Sequence, residues 1–394
     1  MKQLIDVVNF NPDASCLSSD KWLGALRGGE KSLLCAWLNL YVKYDKKVVL
    51  GFTGAAVADM KILNPEALEL INAHTDIFES VLRPFSHDNS LLRTAYGFSA
   101  NYETGRRVIA KEFSRVSNFF LSPEFMQTNE QIEFLSLNGV DGVFINPDRF
   151  KEEIKLKIPD RAYYVSGAFD SRLKCIVFKG ELTAYYLKSV HFYDSALWNR
   201  QVCGYKDRMI FSWRDGESVF LLPDSINREK SWLESESKKI ERLFLRESVE
   251  QIEFSMIAAD DETHYRHYPI HSFAAWVKEF RMIGFLSRLQ RLENRLNGFS
   301  EYEKLLWLML INSDILSAVE KDSPVIKIIF NHGAKPEDYV IWRSERGCEG
   351  EEFLALLEDS RSDKNRKSYF ESSDNAHIRK ARARFKYLLN GGLL

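Results

Sequence analysis

The chain lacks most of the features that would place it in a special class. Its five cysteines, Cys16, Cys35, Cys175, Cys203 and Cys348, are odd in number, far apart and without a Cys-x-x-Cys pair. That excludes a disulfide framework and a thiolate zinc knuckle, and fits reduced thiols in a cytoplasmic protein. No apolar run approaches the roughly 18 residues that a membrane-spanning helix needs. Met1 to Val8 do not form a signal-peptide core, because Asp6 interrupts a short apolar run. An excess of one charge is also missing: 54 Lys and Arg against 56 Asp and Glu leave a formal net charge of -2. Neither a nucleic acid nor a membrane is therefore expected as a partner. There is no internal repeat.

What is present is ordinary in amount and informative in order. The chain has 394 residues, 45% of them hydrophobic and 28% charged, enough for one large barrel with an appendage. Residues 4–10 read as a buried strand, and 21–44 as a helical region broken at Gly28-Gly29. A strand at 47–53, a helix at 65–74 capped by Asn64, and a strand at 77–82 follow. Next come a helical stretch at 89–113, a strand at 118–121, a helix after Glu124, the stop Asn138-Gly139 and a strand at 143–145. Alternation of this kind over 150 residues predicts a parallel α/β sheet or barrel. Strands are expected at 161–167, 171–178 and 208–222, then helices at 232–247, 272–296 and 300–319. Residues 358–375 read as a polar mobile loop, and about 375–389 as an amphipathic helix with Ile378, Ala381, Phe385 and Leu388 on one side. Its other side, with Arg379, Lys380, Arg382, Arg384 and Lys386, reads as a solvated basic face rather than a nucleic-acid surface.

Two carboxylates draw attention. Glu124 follows the apolar run Phe119-Phe120-Leu121, at the strand end where barrels carry their chemistry. Its plain alternative is a helix start, with Ser122 as cap, Pro123 in the first turn and Glu124 complementing the helix dipole. Asp215 follows Met209–Trp213, and its alternative is the turn of a hairpin, since Asp215-Gly216 lies between two apolar runs. In that case Asp194 or Asp207 stands in reserve as the acid. His87-Asp88 reads either as a substrate contact or as a turn. The stretch Asp260–His271 is rich in His and acids, but Pro269 prevents one helix from presenting all its histidines, so no metal and no cofactor are assigned.

Five short segments resemble glycoside hydrolase family 57, whose members have an irregular barrel of about seven strands followed by a helical region. The segments are Asn9-Phe10-Asn11-Pro12, Gly51-Phe52-Thr53-Gly54-Ala55, Leu121-Ser122-Pro123-Glu124, Asp215-Gly216-Glu217 and Leu310-Ile311-Asn312-Ser313-Asp314, with Arg83-Pro84-Phe85-Ser86-His87 similar to a further strand end. The first departs from the family pattern, with Asn in place of its His. The resemblance implies an irregular (β/α)7 barrel over 1–275 and a helical C-terminal region over 276–394. It implies a retaining glycoside hydrolase or glycosyl-transferring enzyme acting on an oligo- or polysaccharide. Glu124 would be the nucleophile and Asp215 the general acid, a pair that retention requires about 5–5.5 Å apart. Asn11, Thr53, His87, Glu217 and Asp314 would hold sugar hydroxyls, and Trp213 (or Trp198 or Trp276) would stack on a ring. The alternative is a catalytically silent sugar-binding or interaction module. The lost His favours that alternative.

Overall fold

The computed structural model describes residues 1–11, 22–147, 162–255, 280–312, 354–358 and 383–393, except 89, 126, 170, 222–223, 356 and 385. The expected helix at 375–389 lies mostly outside these residues, and the expected loop at 358–375 and the Asp260–His271 stretch lie almost wholly or wholly outside them.

Nine strands form one sheet: β1 Lys2–Phe10, β2 Val48–Phe52, β3 Phe78–Leu82, β4 Val116–Phe120, β5 Gly142–Ile145, β6 Tyr163–Ser166, β7 Arg172–Val177, β8 Met209–Asp215 and β9 Ile240–Arg242. Their order is β6-β7-β5-β4-β3-β2-β1-β8, with β9 also on β1. All pairings are parallel except β6 with β7. Seven parallel strands from β7 to β8 thus make the body. The Lys179 N–H donates to the Phe211 carbonyl at 2.9 Å and joins the end of β7 to β8. This is an α/β barrel of the expected kind, irregular because β9 pairs with Lys2–Leu4 below the point where β2 pairs with Val7–Phe10.

Alternation sorts the side chains. Ile5, Val7, Val49, Val81, Phe119, Leu121, Phe144, Ile176, Phe211 and Trp213 form the barrel interior. Leu4, Val8, Phe10, Leu50, Phe52 and Ile210 face outward, into a second core under the helices. Leu245, in the short helix Leu245–Val249, belongs to the interior cluster. The Glu79 carboxylate accepts from the Leu245 N–H at 2.8 Å and anchors that segment to β3.

Outside the barrel, β1 and β8 are locked by buried charge. Asp6 accepts from Ser212 Oγ at 2.9 Å, from Arg214 Nε at 3.2 Å and from Arg242 Nη1 at 2.8 Å. Arg214 also reaches Glu229 at 3.1 Å, which takes hydroxyl hydrogens from Tyr41 at 2.6 Å and Tyr186 at 2.7 Å. Arg242 is paired with Glu236 at 2.7 Å, and Glu236 with Lys46 at 2.8 Å. Burial alone would raise the Asp6 pKa, but Arg214 and Arg242 overcome it and hold the carboxyl below its ordinary range.

The helices follow the strands with few surprises at first. Helix α1 is Leu33–Lys43, α2 Gly54–Leu63, α3 Pro65–Ala73, α4 Ala95–Glu112 and α5 Asn129–Leu137. Asn64 caps α3, accepting from the Ala67 N–H at 3.1 Å, as its position before Pro65 predicts. Later the expectation fails in three places. Helices α6 Glu181–His191 and α7 Ala196–Gly204 fill a stretch where none was foreseen. The expected strand at 208–222 is β8 followed by helix α8 Gly216–Leu221. The expected helix at 232–247 is instead α9 Ser225–Glu234, then β9 and α10 Leu245–Val249. The helical C-terminal region holds α11 Phe280–Glu293 and α12 Glu301–Leu310. Arg384, expected on a solvated basic face, is buried and forks onto Asp59 with two contacts of 2.7 Å.

Removing Asp6 should therefore leave two buried guanidinium groups short of charge. Asp6→Ala is expected to destabilise the protein by about 3–5 kcal/mol, measured as a lowered midpoint in urea.

Candidate functional site

The alternation that buries the interior also builds a polar floor at the carboxyl edge. Beyond Ile5 and Val7, the same face of β1 carries Asn9 and then Asn11. Beyond Phe211 and Trp213, β8 ends in Asp215; Arg83 directly follows the end of β3, two residues beyond Val81. The register places Asn9 opposite Asp215. Asn9 Nδ2 donates to Asp215 Oδ1 at 3.3 Å. The Asn11 N–H donates to Glu217 Oε1, and Arg83 Nη2 donates to Asn11 Oδ1 at 2.6 Å. Glu217 lies in the first turn of α8, one residue past Gly216, with which the helix begins.

Arg83 is the charge at the centre. It is 1% exposed, and burial lowers its pKa to about 10 against the pull of Glu217, Asp215, Glu124 and Asp88. Burial, reinforced by the Asp215 charge, pushes the Glu217 carboxyl up to about 8; its own N–H, the Asn11 N–H and Arg83 only partly oppose it. Burial likewise raises Asp88 to about 7, with Arg93 as the main opposing charge. Among the described residues, Glu217 Oε2, Arg83 Nε, Asn9 Oδ1 and Asp88 Oδ2 are buried without a hydrogen-bond partner in the protein. Such atoms cost about 1–3 kcal/mol each. Their gathering at one end of the barrel marks a place built to receive polar groups.

Glu124 stands in an unusual backbone. The expected helix start at Ser122-Pro123-Glu124 is not there: Pro123–Phe125 is an isolated 3-10 turn, and Glu124 and Phe125 have φ of 53° and 58°. Helix α5 begins at Asn129, after a capping box in which Thr128 Oγ1 accepts from the Gln131 N–H at 3.2 Å and Gln131 accepts from the Thr128 N–H at 3.0 Å. The helix-dipole explanation of Glu124 therefore falls. Two successive non-glycine residues in the left-handed region cost roughly 1–3 kcal/mol each. The Phe125 ring holds them there, edge-on to Trp213 at 4.9 Å and to Phe178 at 5.4 Å in the barrel interior. Glu124 is left partly exposed, with Oε1 3.9 Å from His87 Nε2.

The hairpin reading of Asp215-Gly216 falls as well, because β8 runs straight into α8. Gly216 is required for a different reason: a Cβ there would meet Phe10 Cε1 at 2.3 Å. The reserve acids are removed from the site: Asp207 precedes β8 and pairs with Lys179 at 3.2 Å, and Asp194 follows α6, the helix that leads away from the carboxyl edge.

The remaining expected residues divide. Asn11, His87 and Glu217 converge on this floor. Thr53 lies at its β2 edge, with its oxygen capping α2 through the Ala56 N–H at 3.2 Å. Trp213 is in the interior beneath it, packed on Phe125 rather than displayed as an open platform. Trp198 is in the outer core, 5.5 Å from Trp232, and is excluded as a stacking surface. Trp276 and Asp314 lie outside the described residues, although Asn312 forms an isolated antiparallel bridge with Asp88 beside the floor. Arg83 and Asn9 were not singled out from sequence. Their signal was the inward phase of β1 and β3, which continues past the last apolar residue.

No protein-family model and no curated protein sequence matches the chain. Solved structures do. The chain is similar to a 4-alpha-glucanotransferase from Thermococcus litoralis, with TM-score 0.59 and 11% identity over 80% of this chain and 56% of that one. It is similar over its whole length to a GH57-type branching enzyme from Pyrococcus horikoshii, with TM-score 0.59 and 11% identity over 96% of that chain. An exo-type maltose-forming amylase from a Pyrococcus species aligns with TM-score 0.54 and 12% identity, over 99% of this chain and 84% of that one. At such identities the likeness establishes the fold, a divergent form of the glycoside hydrolase family 57 type.

Two measurements check the site's physics. Glu124→Asn, which suits the left-handed backbone, should leave stability unchanged or raise it by up to about 1 kcal/mol in urea unfolding. A residue in a helix N-terminal turn would show no such tolerance. Asp88 binds its proton more tightly in the folded than in the unfolded chain. Its contribution to stability is full below its unfolded pKa, near 4, and is lost as pH rises through about 7. Asp88→Asn should accordingly gain stability relative to the parent between pH 4.5 and 7.5, with no further gain above.

Proposed function

We propose that the protein is a carbohydrate-active enzyme, a glycoside hydrolase or transglycosylase acting on an oligo- or polysaccharide with retention of configuration. The observation that carries this reading is the convergence of Glu124, Asp215, Glu217 and Asp88 on one buried guanidinium at the carboxyl edge of the barrel.

Glu124 is the nucleophile. Its carboxylate, partly open to solvent on a rigid turn, attacks the anomeric carbon while the bond to the leaving oxygen breaks. The leaving oxygen takes a proton from Asp215. Water or an acceptor hydroxyl then attacks the same carbon, and Asp215 takes the proton back. Arg83 supplies a fixed positive field that offsets the charge of several acids crowded together. Asn11, Thr53, His87, Glu217 and Asp314 are proposed to hold sugar hydroxyls, and Trp213, packed on Phe125, supports the floor from beneath. The unpartnered atoms of Asn9, Arg83 and Glu217 suit hydroxyls, which both donate and accept. No step needs a metal or a cofactor.

A 2-deoxy-2-fluoro glycoside with a good leaving group tests the assignment, because it slows the second step and traps the first. Peptide mass mapping should place the added sugar on Glu124. Glu124→Gln should lose labelling and lower kcat by at least ~1,000-fold, with sugar binding retained. Labelling elsewhere would refute the assignment. An inactive parent that still binds glycans would support a silent binding module.

A further inference from the structure

Asp215 is the acid in this scheme, and the proton it delivers needs a holder. Asp215 accepts a hydrogen bond from Asn9 Nδ2 at 3.3 Å and lies in the field of Arg83, and both favour the carboxylate. Glu217 is placed differently. Its carboxyl takes backbone N–H groups, from Asn11 onto Oε1 and from Glu217 itself, while Oε2 is buried with no hydrogen-bond partner among the described residues. A bare buried carboxylate oxygen next to another carboxylate is the costliest place for a charge and the easiest for a proton.

We propose that Glu217 is the proton store of the site: in the free protein it carries the proton that Asp215 must deliver. The inference rests on the functional reading above, since it concerns the same reaction. The groups that face Glu217 are Asp215 from β8, Arg83 from the end of β3 and the Asn11 N–H from the end of β1, with Glu124 and Asp88 reached through Arg83. In the free protein that proton rests on Glu217, beside the Asp215 charge. When the leaving oxygen displaces water above Asp215, the proton moves from Glu217 to Asp215 and on to that oxygen. Glu217 is left ionised. In the second step the proton taken from the attacking water or hydroxyl returns by the same route, so the cycle closes without an outside acid. Glu217 thus acts through Asp215 and is a positioning residue for the proton. Burial and the Asp215 charge, which push its carboxyl up to about 8, keep the store filled at neutral pH.

Glu217→Gln keeps the Asn11 bond and the volume but removes the proton. The alkaline limb of kcat/KM, expected near pH 8 in the parent, should move down by several pH units, and kcat/KM at pH 7 should fall roughly 100-fold. Glu217→Asp, which restores a carboxyl, should return the limb to higher pH. A uniform loss at every pH with an unmoved limb would reduce Glu217 to a structural residue and overturn the proposal. Infrared difference spectroscopy, parent minus Glu217→Gln at pH 6.5, should show a protonated carboxyl band, and it needs no turnover. If that band is seen while every glycoside is inert, the store stands and the glycosidase reading fails. If the band is missing, the store fails whatever the activity. Should Glu217→Gln not fold, the parent labelled at its glutamate carboxyl carbons decides: no resonance titrating above pH 7 would overturn the proposal.

Discussion

The pairing of β1 with β8 is the constraint on which the site depends. A one-residue slip in a strand exchanges its two faces. Here it would turn Asp215 outward, among helices, and Arg214 into the barrel. The slip is opposed by Asp6, which holds Ser212 and Arg214 across the strand pair and Arg242 from β9. These groups are buried, so the wrong register would leave charges unpaired in a dry core, at a cost far above that of a lost surface ion pair. The network carries no chemistry itself. It determines which carboxylate faces the barrel mouth.

The chemistry follows from crowding. Several acids cannot all ionise around Arg83 in a buried space, so protonation becomes unequal. Arg83 cannot answer by losing its proton, because even with its pKa lowered to about 10 it stays charged at neutral pH. The adjustment falls on the acids. Burial raises Glu217 to about 8 and Asp88 to about 7, and Asp215 accepts a hydrogen bond from Asn9. Groups with separated proton affinities in one cleft are what acid–base catalysis requires. The Asp88 side of the floor is tied to the helical C-terminal region by its bridge to Asn312. Arg93 reinforces the tie: it pairs with Glu293 of α11 and stands 3.9 Å from Asp88.

Much of the barrel was legible because its strands are buried on both faces and are mostly apolar, as at Val48–Phe52, and in β1 apart from Asp6 and Asn9. Local caps were legible where one residue decides them, as at Asn64. The errors came where one pattern serves two structures. Asp-Gly between apolar runs suits a hairpin, yet here Gly216 answers a tertiary demand, the Phe10 ring beside it. Ser-Pro-Glu suits a helix start, yet a better one, Thr128 with Gln131, stood a few residues later. The packing of Phe125 into the interior, which local sequence does not report, separates the two. In the site, Glu124, Asp215 and Glu217 could be named in advance. Arg83 could not, because a lone Arg after a strand looks like surface until the alternation is followed past Val81.

The central claim is a double displacement at one sugar carbon between Glu124 and Asp215. Proton NMR of the first product released from a glycoside that the protein cleaves tests it most directly. The account predicts an anomeric signal with the configuration of the substrate, giving way later to the mutarotated mixture. A first product of opposite configuration would contradict it.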